Sequence, residues 1–220
     1  RIGWLAVEIL YGQAPETVEP FVPLVLQDLR SVEMKQCCAL SVLGSSCFEL
    51  FASEILPQVA DVAFGPKTSP FVRKRALLVM TRYAEVSKKL SIPEKATSKL
   101  PPLLKSSENG VALSAAVLAL SILQCHTENM EQVYHAALEL LPQKIIEGNT
   151  LFAIRLCRIL SYKTEWSTEE NAEVENIVNY LMNRFNDQRT PEQDDEYFAN
   201  FSEFFCFAVT ASLPEEMLKK

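Results

Sequence analysis

Basic residues cluster in one segment of this chain, and their spacing suggests a binding surface. Seven lysines and arginines lie between residues 67 and 89, although the formal net charge of the chain is −7. Arg75 and Arg82 are seven residues apart, which places them on one face of a helix. Such a face could meet acidic lipid headgroups or an acidic partner. The favoured alternative is a solvated face whose lysine stems cover apolar surface. The cluster comprises Lys67, Arg73, Lys74, Arg75, Arg82, Lys88 and Lys89.

The remaining reactive side chains do not form a catalytic or metal-binding pattern. His126 and His135 have no cysteine or carboxylate at metal-ligand or triad spacing to both of them. The six cysteines contain no C-x-x-C pair, so we interpret them as small buried hydrophobes in a reducing compartment. The sequence therefore predicts neither enzyme activity nor a metal or other cofactor. The cysteines are Cys37, Cys38, Cys47, Cys125, Cys157 and Cys206.

Motifs for phosphate and calcium are also missing from the sequence. No glycine-rich loop of the kind that cradles phosphate occurs. Residues 187–196 resemble a calcium loop superficially, but they lack its central glycine and contain Pro191. The negative net charge disfavours nucleic acid as the main partner, because phosphate binding needs a positive field. We expect no small-molecule substrate and no nucleic-acid partner.

Arg155 and Arg158 are a second pair of cations, one turn apart on an otherwise apolar helix. They could pair with carboxylates of a neighbouring repeat or face a partner subunit. Structural pairing is the favoured interpretation.

The helices that carry these residues recur at a nearly constant spacing. Aligning Ala39, Ala76, Ala116 and Ile154 gives separations of about 37, 40 and 38 residues, a period typical of HEAT- or armadillo-like helix pairs. The first helix of each pair is apolar nearly all round, and the second is apolar along one stripe. One pair cannot bury that surface alone. The sequence therefore predicts an all-α chain that forms a right-handed α-solenoid.

We expect one solenoid segment over residues 1–220, and a fragment of a longer protein, because the sequence opens at Arg1 in what looks like helix interior. The uncharged stretch 109–127 is interpreted as a buried helix rather than a membrane span. A Phe-rich face of the terminal helix should dock on a preceding or following repeat. The predicted repeats cover about 1–30, 33–64, 70–106, 110–147 and 150–186, and the terminal helix covers 191–213.

Local signals mark several helix ends. Ser167 and Glu170 have the spacing of a capping box at the start of a helix. Pro57 and Pro142 fall inside expected helices, as does the pair Pro101–Pro102, and we expect them to kink or shorten those helices.

Several passages together resemble a known family. They are Ile2–Leu5 followed by Gln27–Leu29, then Phe71–Leu77, Asn109–Val111 and Leu151–Leu160. Their order and spacing are similar to those in the trunk of large clathrin-adaptor subunits, the adaptins, over about residues 1–186. The resemblance is to the alpha and gamma types, and it favours alpha.

The resemblance implies a scaffold subunit of a heterotetrameric vesicle-coat adaptor complex. Such a trunk would cradle the small (sigma) subunit beside a second large (beta) chain, with a medium (mu) subunit in the same complex. It would support cargo sorting in clathrin-mediated transport, peripherally on the cytosolic face of coated pits or vesicles. The phosphoinositide-binding patch of alpha-type adaptins lies nearer the family's N-terminus than this sequence reaches, so we carry over no lipid-binding residue.

Two alternatives differ in their partners. The first is another cytosolic HEAT/armadillo scaffold, such as a coatomer or transport-receptor chain. The second is a scaffold subunit of a phosphatase, which would co-purify with catalytic activity. An enzyme is the least supported class, because no group of residues has the required chemistry.

Overall fold

The computed structural model describes residues 2–46, 49–86, 94–124 and 129–187. Within these ranges the regular secondary structure is helical and includes no strand. The all-α class expected from the sequence is therefore confirmed. Internal contacts divide the chain into two compact units, residues 1–129 and 130–220, which we call unit 1 and unit 2.

Unit 1 contains seven α-helices among its described residues, and two short 3₁₀ helices precede α2 and α4. The 3₁₀ helices are Pro15–Phe21 and Glu49–Phe51. The α-helices are α1 (Ile2–Gln13), α2 (Val22–Leu29), α3 (Glu33–Ser46), α4 (Ala52–Phe64), α5 (Pro70–Val86), α6 (Glu94–Leu104) and α7 (Asn109–Leu123).

The helices of unit 1 contact one another in two series. In the first, α1 packs on α3, α3 on α5 and α5 on α7. In the second, α2 packs on α4 and α4 on α6. The two series meet through the pairs α2–α3, α4–α5 and α6–α7. Each of these pairs joins the second helix of one predicted repeat to the first helix of the next.

The core of unit 1 lies between these two series of helices. Its side chains are mostly aliphatic, and Leu43, Ile55, Leu77 and Leu100 are all fully buried. Helix α5 is central, because it contacts α3, α4 and α7. These contacts bury part of α5 and leave its remaining residues at the surface.

Helix α7 is buried nearly all round, as its apolar sequence predicted. Eleven of its fifteen residues are buried. The hydroxyls of Ser114 and Ser121 donate to the carbonyl oxygens of Gly110 and Val117, so they are satisfied within the helix. In the described part of the chain, no helix combines the length and the apolar character that a transmembrane span requires.

Unit 2 contains α8 (Glu131–Ile146), α9 (Thr150–Leu160) and α10 (Thr168–Asp187) in its described residues. Helix α8 packs on α9. The turn between them contains Gly148 at a φ of +70°, a conformation that favours glycine. The side chain of Asn149 then accepts a hydrogen bond from the Phe152 amide and caps α9.

The predicted capping box at the start of α10 is confirmed. The Glu170 amide donates to Ser167 Oγ at 3.2 Å, and the Ser167 amide donates to Glu170 Oε2 at 2.9 Å. The prolines behave less simply. Helices α4, α6 and α8 continue past Pro57, the pair Pro101–Pro102 and Pro142, and none ends at its proline.

The repeat boundaries and the single solenoid segment stay predictions. The division between the two units falls after Asn129, inside the predicted repeat 110–147. The predicted terminal helix, 191–213, with its Phe-rich face, lies outside the described residues.

Candidate functional site

Helix α5 carries most of the predicted basic cluster. It begins at Pro70, a residue well suited to the first turn of a helix. One side of α5, which includes Ala76, Leu77, Val79 and Met80, is buried against the neighbouring helices. The charged residues on the opposite side are therefore held at the surface by the packing of the buried side.

The exposed face of α5 combines cations with apolar side chains. Phe71 and Leu78 are 54% and 42% exposed, which is high for large hydrophobic residues. Arg75 and Arg82 share this face, as their spacing predicted, and Lys74 lies at its edge. We call this face the α5 ridge, defined as Phe71, Lys74, Arg75, Leu78, Arg82 and Glu85.

Arg75 is the best-anchored cation of the α5 ridge. Its Nη1 donates to the carbonyl oxygen of Cys37 at 3.3 Å and also to Ser41 Oγ, both on α3. Its guanidinium carbon lies 4.8 Å from the centroid of the Phe71 ring, which is cation–π geometry. These contacts fix the position of the guanidinium group.

Arg82 is held more loosely. Its Nη1 lies 3.8 Å from Glu85 Oε2, and the two side chains are about half exposed. Such an exposed pair contributes little to stability. Both arginines line an open groove of about 310 Å³ between α3 and α5. The other groove residues are Leu40, Ser41, Gly44, Leu78, Val79, Thr81 and Glu85.

Lys74 runs along the start of α7. A Cβ atom at Gly110 would lie 3.3 Å from Lys74 Cδ, so glycine leaves space for the lysine stem. Lys74 itself is exposed.

The structure separates two further members of the predicted cluster from the α5 ridge. Arg73 is half-buried, and its Nη2 donates to the carbonyl oxygen of Gly65 at 2.6 Å, just beyond the end of α4. Arg73 therefore satisfies a backbone carbonyl group at the C-terminal end of α4. Lys67 is exposed in the turn before α5. Lys88 and Lys89 lie outside the described residues.

The sequence contains a signal that would have separated Arg73 from Arg75. Arg73 shares a helical stripe with the buried residues Leu77, Met80 and Ala84. Arg75 shares its stripe with Phe71, Leu78 and Arg82 instead.

The Cys37 thiol, which lies close enough to Arg75 to feel its charge, is poorly suited to nucleophilic chemistry. Burial raises the pKa of Cys37, an effect that the nearby Arg75 partly offsets and Glu33 reinforces. The thiolate is the reactive form of cysteine, so a raised pKa leaves little of it at neutral pH.

Unit 2 contains a charged cluster that sequence analysis did not identify. Lys163, in the loop before α10, is only 6% exposed. Its Nζ binds the Glu131 carboxylate on α8 and lies 3.0 Å from Glu170 Oε1 on α10. The same Nζ lies 5.7 Å from the Tyr134 ring centroid and 5.6 Å from that of Trp166. Glu131 precedes Lys163 by 32 residues, so no local motif links them.

The ion pairs of this cluster overcome the cost of burial. Burial alone would lower the pKa of Lys163, but its hydrogen bonds to Glu131 and Glu170 raise it above the usual value. Burial would likewise raise the pKa of Glu170. The Ser167 amide and Lys163 instead hold the pKa of Glu170 below its usual value, with a contribution from His135.

Three side chains of the cluster are close enough to hold a metal ion. The ligand atoms of Glu131, His135 and Glu170 lie within 4.8 Å of one another. The ammonium group of Lys163, however, already contacts both carboxylates. A second cation would be repelled there, so we interpret the cluster as a structural tie between α8, the loop and α10.

The two arginines of α9 are at or near the surface. Arg155 is half-buried and Arg158 is exposed. Their pairing with carboxylates of a neighbouring repeat stays a prediction.

Comparisons of the chain with family models, with curated proteins and with solved structures find no match. Its function is therefore inferred from its residues and from the packing of its helices.

Proposed function

We propose that this chain is a non-catalytic helical scaffold that binds other proteins. In this proposal its helix pairs stack as a right-handed α-solenoid of HEAT- or armadillo-like repeats. The supporting observation is the pair of contact series in unit 1, α1–α3–α5–α7 and α2–α4–α6. In solenoids each repeat contacts its neighbours, and stacking creates a continuous core. The contacts between predicted repeats in unit 1 fit that plan.

The more specific proposal is that the chain belongs to the trunk of a large adaptin, favouring the alpha type. Its partners would be the sigma, mu and beta subunits of a clathrin adaptor complex, on the cytosolic face of coated membranes. The family-like passages support this proposal by their positions. Phe71–Leu77 lies in α5, Asn109–Val111 opens α7, and Leu151–Leu160 lies in α9. All three are thus in the first helix of a predicted pair.

Exposed apolar side chains on α1 support a role in protein binding. Leu5 and Ile9 are each 56% exposed, and they lie one turn apart. Leu10 beside them is also exposed. Clustered apolar residues at a surface are typical of interaction sites. Stable assemblies often bury more than about 2,000 Å², an area that a series of stacked helices can supply.

The same helix packing fits a different cytosolic scaffold. A coatomer or transport-receptor chain would use similar surfaces for other partners. A phosphatase scaffold subunit would bind a catalytic chain through them. These alternatives differ from the adaptin proposal in what the chain captures.

Co-expression tests the adaptin proposal. The 220-residue chain is produced with the sigma, mu and beta adaptor subunits and purified through a tag on the chain. We expect stable stoichiometric capture of a sigma subunit. Failure to capture any of these subunits, with the chain folded by circular dichroism, would overturn the adaptin proposal. Phosphatase activity in material purified from cells would favour the phosphatase scaffold.

A further inference from the structure

We propose that the α5 ridge docks an amphipathic helix of a partner protein, in which carboxylates flank leucine-like side chains. The proposal rests on the proposed scaffold function and identifies a surface and a partner chemistry for it. Four features of the described residues support it: charge, apolar exposure, a pre-positioned arginine and the shape of the surface.

The charge of the α5 ridge differs from that of the chain as a whole. Three cations stand there against one carboxylate, whereas the chain carries a net −7. Residues 1–129 are close to neutral overall, with 13 lysines and arginines and 12 aspartates and glutamates, so the three cations of the ridge are a local excess. A partner with carboxylates is therefore favoured at the α5 ridge.

Phe71 and Leu78 supply the apolar contacts. They are seven residues apart, which is about 10.5 Å along a helix. Exposed apolar residues at this interval match the i, i+7 anchors by which helices recognise each other. Arg75 lies between them in sequence and Arg82 lies one turn beyond Leu78, so each apolar residue has a cation close by.

Arg75 is already positioned for binding. Its contacts with Cys37, Ser41 and Phe71 remove much of the side-chain freedom that a partner would otherwise have to restrict. A guanidinium group has five N–H donors. Because the contacts to α3 use one nitrogen, the group retains donors for a carboxylate.

The flanking helices present small residues beside α5. On the α3 side, Ser41 and Gly44 line the open groove. On the α7 side, Gly110 is exposed and lies against the stem of Lys74. The small residues leave shallow grooves on either side of the α5 ridge. A second helix can pack its own side chains into such grooves.

A protein helix fits these features better than an anionic membrane. A membrane surface attracts clustered cations that extend into solvent. Here the Arg75 guanidinium is directed onto α3 instead of extending into solvent. The mixture of apolar and cationic side chains is suited to a matched amphipathic partner.

The test uses three fluorescein-labelled helical peptides that differ only in their side chains. One combines glutamate with leucine, the second replaces glutamate by glutamine, and the third replaces leucine by alanine. Fluorescence anisotropy with the whole chain measures their affinities. We expect the first peptide to bind about tenfold or more tightly than either of the others. Added salt should weaken its binding.

Two variants of the α5 ridge have matched controls elsewhere in unit 1. We expect Arg82→Glu and Leu78→Ser each to lower the affinity for the first peptide by about fivefold or more. Lys67→Glu makes the same charge reversal off the ridge, and Leu24→Ser removes a similarly exposed leucine from α2. Both controls should change affinity less than about twofold. Circular dichroism checks that every variant is folded.

Several results would overturn this docking surface. They are absent binding of the first peptide, equal binding of the glutamate and glutamine peptides, and equal losses in the control variants. Binding to phosphatidylserine vesicles that both ridge variants abolish, without peptide binding, would assign the surface to membranes instead. Adaptor capture is scored separately. If the chain captures adaptor subunits but does not bind the peptide, only the proposed docking surface is wrong. If it binds the peptide but captures no adaptor subunit, only the adaptin proposal is wrong.

Discussion

At the scale of single residues, Lys163 is the one charged residue that is buried in the part of the chain that the structure describes. Its side chain is nearly enclosed, and it bridges two carboxylates from different helices. Removing Lys163 leaves the largely buried Glu170 carboxylate without compensation, which costs more than the net value of the pair. The stability of unit 2 should therefore depend on this one lysine.

We predict that Lys163→Met destabilises unit 2 by about 2–4 kcal/mol, because Glu170 loses its cation while remaining largely buried. Urea unfolding followed by Trp166 fluorescence in a Trp4→Phe background measures this, since the chain has two tryptophans. The exposed Lys67→Met serves as the control and should change little. A loss below about 0.5 kcal/mol for Lys163→Met would show that the ion pairs are dispensable.

The pKa of Glu170 predicts a pH dependence on the acid side. An acid whose pKa is lower in the folded state contributes stability above its unfolded pKa, here near 4.5. It loses that contribution as the pH falls through the folded value. Unfolding of unit 2 should therefore become easier below about pH 4.5. Glu170→Gln should flatten this dependence in the Trp166 signal. An unchanged slope would assign the acid sensitivity to other groups.

At alkaline pH, the contribution of Lys163 to stability changes with pH in the opposite direction. The pKa of Lys163 is raised above 10.5, so its contribution is complete below that pH. It is lost only as the pH rises through the folded value.

At the scale of helices and turns, the backbone conformation of Gly148 joins α8 to α9. An L-residue in this left-handed conformation is strained by about 1–2 kcal/mol. Apart from the adjoining backbone, no atom lies within 4 Å of a Cβ placed at Gly148, and the same is true of Gly12 in α1. The two glycines therefore differ in backbone conformation and not in available space.

We predict opposite effects for alanine at these two glycines. Gly148→Ala should destabilise unit 2 by about 1 kcal/mol. Gly12→Ala should be neutral or stabilise α1 by up to about 1 kcal/mol, because alanine is the better helix former. Thermal unfolding by circular dichroism compares them. Equal shifts in the midpoint would indicate that φ at Gly148 is not the cause.

Sequence periodicity predicted the helices and their buried faces better than it predicted the long-range contacts between side chains. It predicted the buried α7 and the shared face of Arg75 and Arg82. The spacing of Ser167 and Glu170 predicted the capping box. The helical stripe that Arg73 shares with Leu77 and Met80 would have separated it from Arg75, but its contact with the end of α4 depends on packing. Periodicity could not identify Lys163, because its partners lie in three-dimensional space on two helices. Local patterns specify elements, whereas long-range pairing depends on packing.

At the scale of the whole molecule, the exposed and the buried apolar residues of α1 should have different roles, the first in binding and the second in stability. Leu5 and Ile9 face solvent, whereas Val7 between them is buried. Substituting the exposed pair should therefore affect association and leave folding intact.

We predict that Leu5→Ser combined with Ile9→Ser changes the free energy of unfolding by less than about 1 kcal/mol. The same double variant should reduce capture of the adaptor subunits in the co-expression assay. Val7→Ser is the matched control, and it should destabilise unit 1 by about 1–3 kcal/mol. Undiminished capture by the double variant would remove α1 from the proposed interface.

The enclosure of Lys163 has a chemical consequence. Amine-directed acylating reagents need an uncharged, accessible nitrogen, and this one is enclosed by two carboxylates and two aromatic rings. It can react only when this part of unit 2 opens transiently. The rate at which mass spectrometry detects acylated Lys163, compared with exposed lysines such as Lys67, is therefore a measure of how often α8 and α10 separate.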